Sequence, residues 1–208
     1  MRVSKEAAAA TRNRIIGTAS RLLRERGIEA TSIADVMAAA GLTHGGFYKH
    51  FQSKDDLVAA AIEAAFAAQL ARYDQRCDEQ GPRAALEAYV ADYLSPEHVA
   101  GAATGCPVAA LGADAGRAPA AASTAMARGV ESMIERYVNS LGSAADSAME
   151  RAAAIRRLAM MVGAVVVARG VGPGKLADEV IGACAVTEDL PPRTSRAPAR
   201  SHRPGSTR

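Results

Sequence analysis

The chain has 208 residues, of which 49% are apolar but only 4% aromatic, and it contains no tryptophan. This length can bury a sizeable core in one or two domains, and an alanine-rich apolar fraction favours closely packed helices over a sheet. The longest apolar run, Leu158 to Ala168, is shorter than the roughly 20 residues that span a bilayer, which argues against an integral membrane protein.

The amino-terminal residues show no secretory signal pattern, because residues 1–14 are charged and alanine-rich without an apolar core. The three cysteines, Cys77, Cys106 and Cys184, are widely spaced and odd in number. That usage fits reduced thiols better than a disulfide framework or a zinc site. We therefore expect a cytoplasmic protein with no membrane partner.

The net charge of +3 hides an uneven distribution along the chain. Residues 1–57 hold nine Lys or Arg against six acids, residues 190–208 hold five Arg and no acid, and the stretch between them carries a net charge of −5. A basic head on an acidic body would place a polyanionic partner at the head. The total charge is too small to identify nucleic acid by itself.

The first predicted helix begins near Thr11, after a mobile arm at residues 1–9, and ends at Gly27. Its apolar positions, which include Ile15, Ala19 and Leu22, recur on one helical face. This helix would cover the next two and complete a three-helix unit. Its arginines could touch a polyanion, although a solvated face is the simpler interpretation.

Two short helices joined by a tight turn are predicted between residues 32 and 51. Ser32 and Asp35 form a capping-box pattern ahead of a helix from Ile33 to about Ala40, and Gly41 suits the left-handed residue that follows a helix. Thr43 is a good N-cap for the second helix. This spacing indicates a helix-turn-helix in which Thr43 opens the recognition helix.

The recognition helix has a glycine-rich first turn and an aromatic anchor. Gly45 and Gly46 each cost about 1 kcal/mol of helix propensity relative to Ala, but they let the backbone approach a bulky partner closely. Phe47 and Phe51, four residues apart, would hold the helix in a core. The remaining side chains offer groups that bind phosphate oxygens: Tyr48, Lys49, His50 and Lys54.

These residues carry a family resemblance. The pattern of Thr43, Gly45, Tyr48, His50, Phe51, Lys54 and Leu57, preceded by Ala40 and Gly41, resembles the DNA-binding domain of the tetracycline-repressor (TetR) family. The resemblance covers about residues 10–60, and the rest of the chain is similar to the family only in length and in being all-helical. It implies a homodimeric transcriptional regulator whose partner is double-stranded DNA.

The resemblance also implies roles for individual residues, with the recognition helix entering the major groove by its N-terminal end. His44 and Gly45 would face base edges, and Lys49 is the candidate for contact with guanine. The residues expected at phosphates are Thr43, Tyr48, His50 and Lys54. The full predicted DNA-binding set is Ser32, Thr43, His44, Gly45, Gly46, Tyr48, Lys49, His50 and Lys54. The alternatives are a structural helix pair with solvated polar groups and, for His50, an imidazole satisfied by local backbone.

The rest of the chain reads as a series of helices. A long helix that Ser53 caps would reach Gln80 and connect the head to the body. Further helices are expected over 83–94, from the break at 116–119 to about Leu141, over 144–169 and over 176–185. Loops are expected at 101–105, 116–119 and 142–146. The apolar circumference of the 144–169 helix predicts burial on all sides, in a core or against another subunit. Residues 187–208 are predicted to be a disordered basic tail.

The body offers candidates for an apolar effector pocket. Aromatic, methionine and cysteine side chains at helical spacings could line it, since methionine adapts to varied ligand shapes. The candidates are Phe66, Tyr89, Tyr93, Cys106, Met126, Met133 and Tyr137. Ordinary core packing is the alternative for each of them.

Cys106 has an additional interpretation as a sensor. It follows Gly105 and precedes Pro107, so it is expected near a helix N-terminus, where a thiolate is stabilised and reacts with oxidants or electrophiles. A small buried hydrophobe is the alternative. A third hypothesis is an enzyme that uses Cys106 as nucleophile with His98, the nearest histidine in sequence, as base.

The combined prediction is an all-α protein with a helix-turn-helix DNA-binding domain at 10–57, a helical effector-binding and dimerisation domain at 58–186, and a tail at 187–208. We expect a repressor that an unknown small-molecule or electrophile effector releases from a pseudo-palindromic operator, with a transcriptional activator as the alternative. The histidines show no metal-ligand spacing and no phosphate-binding loop is present, so we expect no metal, no cofactor and no catalytic residues.

Overall fold

The computed structural model describes residues 5–141 and 147–185, and all statements about structure refer to these ranges. The predicted tail at 187–208, the predicted loop at 142–146 and residues 1–4 of the predicted arm lie outside them. Within the described ranges the chain is all-α, which confirms the predicted fold class. No described helix is long and apolar enough to cross a membrane.

The described chain forms helices linked by short turns. They are α1 (Lys5–Arg26), α2 (Ile33–Ala39), α3 (Lys54–Gln80), α4 (Pro82–Tyr93), α5 (Pro96–Ala100), α6 (Pro107–Arg117), α7 (Ala120–Leu141), α8 (Ser147–Val171) and α9 (Lys175–Ala185). Two 3₁₀ helices, at His44–Lys49 and Ala102–Thr104, complete the set.

The start of α1 differs from the prediction. The helix begins at Lys5 and not near Thr11, so residues 5–9 of the predicted arm are helical. Alanine has the highest helix propensity, and Glu6 lies in the first turn, where a carboxylate is favourable. The Thr11 hydroxyl donates to the Ala7 carbonyl at 2.8 Å, as a residue inside a helix does. The alanine run therefore extends the helix by six residues.

The predicted break at 116–119 is shorter in the structure. Helix α6 continues through Gly116 and ends at Arg117, and α7 begins at Ala120. Pro119 explains the end, because the residue before a proline is pushed out of the helical region. Ala118 indeed has an extended backbone, with φ −82° and ψ 167°.

Helix α3 forms the spine of the molecule, since it packs against α1, α4 and α7. The core is one continuous cluster that extends from Ile15 in α1 to Val165 in α8. The boundary predicted between residues 57 and 58 lies inside α3, where Leu57 and Val58 are both buried. The head and the body thus share a rigid helix and a common core, so a structural change in one can be transmitted to the other.

Helix α8 packs on α7 and α9 but leaves one side uncovered. The large apolar side chains exposed along this side and the start of α9 are Ile155, Val166, Val167, Val171 and Leu176. The predicted burial of this helix on all sides is therefore not achieved within one chain. An apolar hollow of about 710 Å³ adjoins this side, between α5 and the α8–α9 pair.

Candidate functional site

The helix pair at residues 32–51 begins with the predicted capping box. Ser32 Oγ accepts from the Asp35 amide at 3.1 Å, and Asp35 Oδ2 accepts from the Ser32 amide at 2.9 Å. The Ser32 hydroxyl also donates to Asp35 Oδ2 at 2.5 Å, and this bond, together with the one from the Ser32 amide, lowers the pKa of the Asp35 carboxyl. Gly41, with φ 70°, takes the predicted left-handed position after α2. The Ser32 hydroxyl remains exposed while it caps the helix, so one side chain both sets the start of α2 and faces solvent.

The recognition segment differs from the predicted α-helix. Residues His44–Lys49 form a 3₁₀ helix, and Thr43 precedes it with extended backbone but makes no side-chain cap hydrogen bond. The Gly46 amide instead donates to the Thr43 carbonyl at 3.0 Å, the i to i+3 pattern of a 3₁₀ turn. Two successive glycines with low α-helix propensity account for the tighter winding.

Two phenylalanines hold this segment in place. Phe47 and Phe51 are buried and stack with ring centroids 5.5 Å apart, as their spacing predicts. The Arg12 guanidinium from α1 lies 4.8 Å from the centroid of the Phe51 ring, a cation–π contact. A side chain at Gly46 would lie 3.6 Å from Met37 Cε, so the segment packs closely on α2. The opposite side of the segment is consequently fixed in orientation.

That opposite side is polar and open to solvent. Thr43, His44, Gly45, Tyr48 and Lys49 are exposed, and the Tyr48 ring, packed edge-on against Phe47, is 66% exposed. Tyrosine is enriched at binding surfaces, because its ring is apolar and its hydroxyl can form a hydrogen bond. Among described residues, no carboxylate lies within salt-bridge distance of Lys49.

Three of the predicted DNA-binding residues are less open. Gly46, His50 and Lys54 are half-buried. Lys54 stands at the start of α3 and lines a hollow that also includes Asp114 and Arg117 of α6. The predicted set therefore divides into an exposed group on the 3₁₀ helix and a flanking group whose side chains are partly covered.

The body contains a cavity of about 190 Å³ between α3, α4 and the segment that leads into α6. Three of the predicted pocket residues, Tyr89, Tyr93 and Cys106, line it. Phe66 does not: its ring packs on α7 where Gly129 leaves room, and a Cβ at Gly129 would lie 2.1 Å from Phe66 Cδ2. The predicted pocket and the cavity thus overlap only in part.

Three other predicted pocket residues belong to the core. Met126, Met133 and Tyr137 are buried and do not line the cavity. Tyr137 stands behind its wall, with its ring centroid 5.9 Å from that of Tyr89. Periodicity alone cannot separate a wall from the layer behind it, because both recur at helical spacing.

The prediction missed the polar wall of the cavity. Gln69, Arg72, Tyr73 and Arg76 lie on one face of α3 at i, i+3, i+4 and i+7. Earlier turns of the same face carry buried Val58 and Ile62, so the change from apolar to polar residues along this face was the available signal. Asp92, His98, Thr104 and Gly105 complete the lining.

Several tyrosines of the cavity are held as neutral phenols. Burial raises the pKa of Tyr73 to about 12, although its hydrogen bond with Ser140 Oγ at 2.6 Å opposes that shift. Burial also raises the pKa values of Tyr89 and Tyr93. Gln69 Nε2 donates to the Tyr89 hydroxyl. Neutral phenols can both donate and accept, so the wall offers hydrogen bonds without negative charge.

Two buried polar atoms at the cavity have no partner among the described residues: Gln69 Oε1 and the Tyr93 hydroxyl. Both side chains are more than nine-tenths buried. Buried polar groups are nearly always hydrogen-bonded, and leaving one unpaired costs about 1–3 kcal/mol. These atoms mark positions where a bound molecule or water would complete the structure.

Cys106 is the residue before α6, in the N-cap position that its neighbours predicted. It is 2% exposed, and its amide donates to His98 Nε2 at 3.1 Å. His98 Nδ1 lies 2.8 Å from the Tyr93 carbonyl, so the imidazole carries its proton on Nδ1. Burial lowers the pKa of His98, which keeps this ring neutral.

Arg24 of α1 ties the head to this region. Its Nη1 donates to the Gly105 carbonyl at 2.7 Å, and its Nε donates to the Ser20 carbonyl at 3.0 Å. Nearby, the Ile28 amide donates to Asp114 Oδ2 of α6 at 3.0 Å. The segment that forms one wall of the cavity is therefore hydrogen-bonded to the helix that covers the recognition segment.

No group of three or more potential metal ligands occurs in the part of the chain that the structure describes. Cys77, Cys106 and Cys184 have free thiols and form no disulfide bonds.

Comparison with known proteins adds independent observations. Residues 15–61 match the sequence profile of bacterial regulatory proteins of the tetR family. The transcriptional regulator TtgR of Pseudomonas putida is 38% identical over 84 residues, which cover 39% of this chain and 40% of the relative. The transcriptional repressor BepR of Brucella suis is 33% identical over 102 residues, 44% of this chain and 49% of the relative. The match thus spans less than half the length of either relative.

Solved structures extend the similarity to most of the chain. The reduced form of NemR from E. coli superimposes with a TM-score of 0.71 over 85% of this chain and 93% of its own, at 21% identity. A tetR-family transcriptional regulator from Cytophaga hutchinsonii gives a TM-score of 0.72 over 89% and 95%, at 19% identity. At such identities the structures establish the fold, including the helical body, and nothing more.

Proposed function

Because residues 15–61 match the tetR family of bacterial regulatory proteins, we propose that the chain is a ligand-responsive transcriptional repressor of that family. It binds a pseudo-palindromic operator as a homodimer, and a small molecule in the body releases it. The observation that carries the proposal is the exposed polar face of the 3₁₀ helix, fixed from behind by Phe47 and Phe51.

The DNA-binding face agrees with major-groove docking. The glycine-rich turn at Gly45 brings backbone close to the duplex, and Tyr48 and Lys49 extend into solvent on the same segment. Tyr48 contacts a phosphate and Lys49 contacts a base edge. Thr43, His50 and Lys54 contact phosphates of the DNA backbone nearby. Ser32, at the start of α2, completes the phosphate contacts.

A dimer would cover the open side of α8. Val166, Val167 and Val171 are 46–47% exposed in one chain, and Leu176 at the start of α9 is 56% exposed. A twofold contact of α8 and α9 with the same pair of a second copy buries these side chains in a four-helix arrangement. Two recognition segments held in this way read half-sites at a fixed spacing.

The effector acts by preferring one arrangement of the heads over another. The cavity supports this role because its wall is hydrogen-bonded to α1 through Arg24 and Gly105. A molecule that shifts the Gly105 carbonyl changes the position of α1 and, with it, the spacing of the recognition segments.

An electrophile is the alternative effector. Cys106 lines the cavity, so a molecule that enters it lies next to this residue. Treatment with a mild alkylating agent should then weaken DNA binding, and Cys106→Ser should resist the treatment. If the agent weakened DNA binding equally in the wild-type and substituted proteins, Cys106 would not be the residue through which an electrophile acts.

The enzyme hypothesis receives no support from the arrangement of Cys106 and His98. The Nε2 lone pair, which a general base needs, accepts the Cys106 amide, and Nδ1 faces a carbonyl oxygen. An activator shares the same head as a repressor, and reporter output from a target promoter distinguishes the two.

The test is selection of binding sites from random duplex DNA with the purified full-length protein. We expect an enriched pseudo-palindrome whose binding weakens with salt. Small molecules are then screened for loss of binding to that site. Failure to enrich any sequence at low ionic strength would refute the proposal.

A further inference from the structure

We propose that the cavity between α3, α4 and the segment before α6 binds a small single-ring aromatic anion that also carries a hydrogen-bonding hydroxyl, such as a hydroxybenzoate. This assignment rests on the proposed function, because it names the effector class of the same site. It concerns four residues of the cavity: Gln69, Arg72, Tyr89 and Tyr93.

The size of the cavity limits the ligand. The space open to a bound molecule is about 190 Å³, which suits one substituted ring.

The walls favour an aromatic ring. Tyr73, Tyr89 and Tyr93 form successive neighbours, with ring centroids 5.5 Å apart for Tyr73 and Tyr89 and 5.8 Å apart for Tyr89 and Tyr93. Aromatic pairs prefer offset or edge-to-face contact at such distances. A planar ligand ring would join this cluster as one more member.

The charge at the cavity favours an anion. Arg76 pairs with Asp92 at 2.5 Å, but among described residues no carboxylate lies within salt-bridge distance of Arg72. The guanidinium of Arg24 lies behind Gly105, and repulsion by Arg72 adds to burial in lowering the pKa of Arg24. The two arginines thus create positive potential at one side of the cavity, and a carboxylate there would relieve their repulsion.

The unpartnered buried atoms favour a hydroxyl on the ligand. Gln69 Oε1 can only accept, and the Tyr93 hydroxyl can donate or accept. A ligand hydroxyl can donate to Gln69 Oε1 or accept from the Tyr93 hydroxyl. A carboxylate at Arg72 and a hydroxyl deeper in the cavity together define the orientation of the ring.

The test uses calorimetric titration of the purified full-length protein with 2-, 3- and 4-hydroxybenzoate and with the three matching hydroxybenzamides. The amides keep the ring and the hydroxyl but lack the charge. We expect at least one hydroxybenzoate to bind at least tenfold more tightly than its amide. Arg72→Gln should abolish this preference, whereas Arg83→Gln, on the outer surface of α4, should keep it.

Tyr93→Phe distinguishes a ligand contact from a structural role. Because the hydroxyl has no partner in the unliganded protein, we expect the unfolding midpoint to stay equal or rise while hydroxybenzoate affinity falls at least fivefold. A lower midpoint with unchanged affinity would overturn the assignment, and so would saturable binding by no member of the panel or equal affinity for acids and amides.

DNA binding measured in parallel separates this proposal from the one on which it rests. A protein that selects an operator but binds no hydroxybenzoate refutes only the ligand class. A protein that binds a hydroxybenzoate but no DNA refutes the proposed function and leaves the cavity assignment standing.

Discussion

Arg24 and Gly105 are 81 positions apart in sequence, yet the Arg24 guanidinium donates to the Gly105 carbonyl at 2.7 Å. The donor is on α1, which packs against α2 and α3, and the acceptor precedes Cys106 in the wall of the body cavity. A long side chain that is partly buried and held at both its Nε and Nη1 atoms is an effective connection between two elements, because little freedom remains to absorb a shift.

Replacing Arg24 with Met should destabilise the protein by about 1 kcal/mol, since the Gly105 carbonyl loses its donor in a partly buried place. Chemical unfolding measures this change. Arg21→Met on the same helix is the matched control: its ion pair with Glu25 is exposed, and such a pair contributes about 0–1 kcal/mol.

The same substitution tests the connection between head and body. We expect Arg24→Met to reduce the factor by which an effector weakens operator binding, with the affinity for operator alone less affected. An unchanged factor in the variant would show that the signal travels by another route.

Gly129→Ala should destabilise the chain by about 1–3 kcal/mol, because its Cβ would lie 2.1 Å from the Phe66 ring between two packed helices. Gly116→Ala is the control, since nothing lies within 4 Å of the added methyl group on α6, and helix propensity should make that variant up to about 1 kcal/mol more stable. Combining Gly129→Ala with Phe66→Leu should recover part of the loss. Additive effects in the double variant would contradict a direct clash.

Local signals in the sequence predicted the parts of the fold that local chemistry determines. The capping box of Ser32 and Asp35 and the left-handed Gly41 fix the turn between the two short helices by hydrogen bonds within a few residues. Phe47 and Phe51 follow the same logic, because their spacing puts both on one face. The family resemblance then supplied the proposed function of a surface that geometry alone describes only as exposed and polar.

The cavity was harder to predict because it depends on contacts between distant segments. Tyr89 faces the cavity and Tyr137 stands behind it, yet both are aromatic residues at helical spacing. Phe66 does not line this cavity for a related reason: its ring packs against Gly129, and the absence of a side chain there gives no periodic signal. Gln69 and Arg72 were visible as a polar stripe on α3, but only packing shows that this stripe lines a cavity.

Tyr48→Phe should weaken operator binding by a similar factor for all sequences, because it removes one phosphate contact and no base contact. Lys54→Gln should do the same and also lower the salt dependence of log Kd by about 1. Fluorescence anisotropy at several salt concentrations measures both effects, with Arg83→Gln in the body as the control of equal charge change.

Lys49→Gln should instead alter sequence preference. We expect the largest loss of affinity at one base pair of each half-site and smaller changes elsewhere, since base contacts discriminate by about 1–3 kcal/mol. Repeating the site selection with this variant measures the change. A uniform loss across all sites would assign Lys49 to a phosphate.

His98 should make stability depend on pH. Burial lowers its pKa in the folded protein, so below its ordinary value of about 6.5 the unfolded chain binds a proton that the folded chain resists. The free energy of unfolding is then greatest above that pH and falls as the pH decreases from about 7.5 to 5.5. Protonation would also place an N–H against the Cys106 amide, which now donates to Nε2.

Unfolding of His98→Gln as a function of pH measures this contribution. The variant should be less stable at pH 7.5 and should lose less stability on acidification than the wild type. A parallel pH profile for wild type and His98→Gln would contradict the role of His98.

Val167→Glu should separate the proposed dimer into monomers. Val167 is 47% exposed on the open side of α8, and a twofold contact there would bury a carboxylate against apolar side chains, which costs several kcal/mol per ion. Ala121→Glu, at an exposed position of α7 away from that side, should leave the dimer intact. Sedimentation velocity measures the change. The Val167 variant should keep its helical content and bind the pseudo-palindrome more weakly, because two half-sites are no longer engaged together. A variant that remained dimeric would place the subunit contact elsewhere on the body.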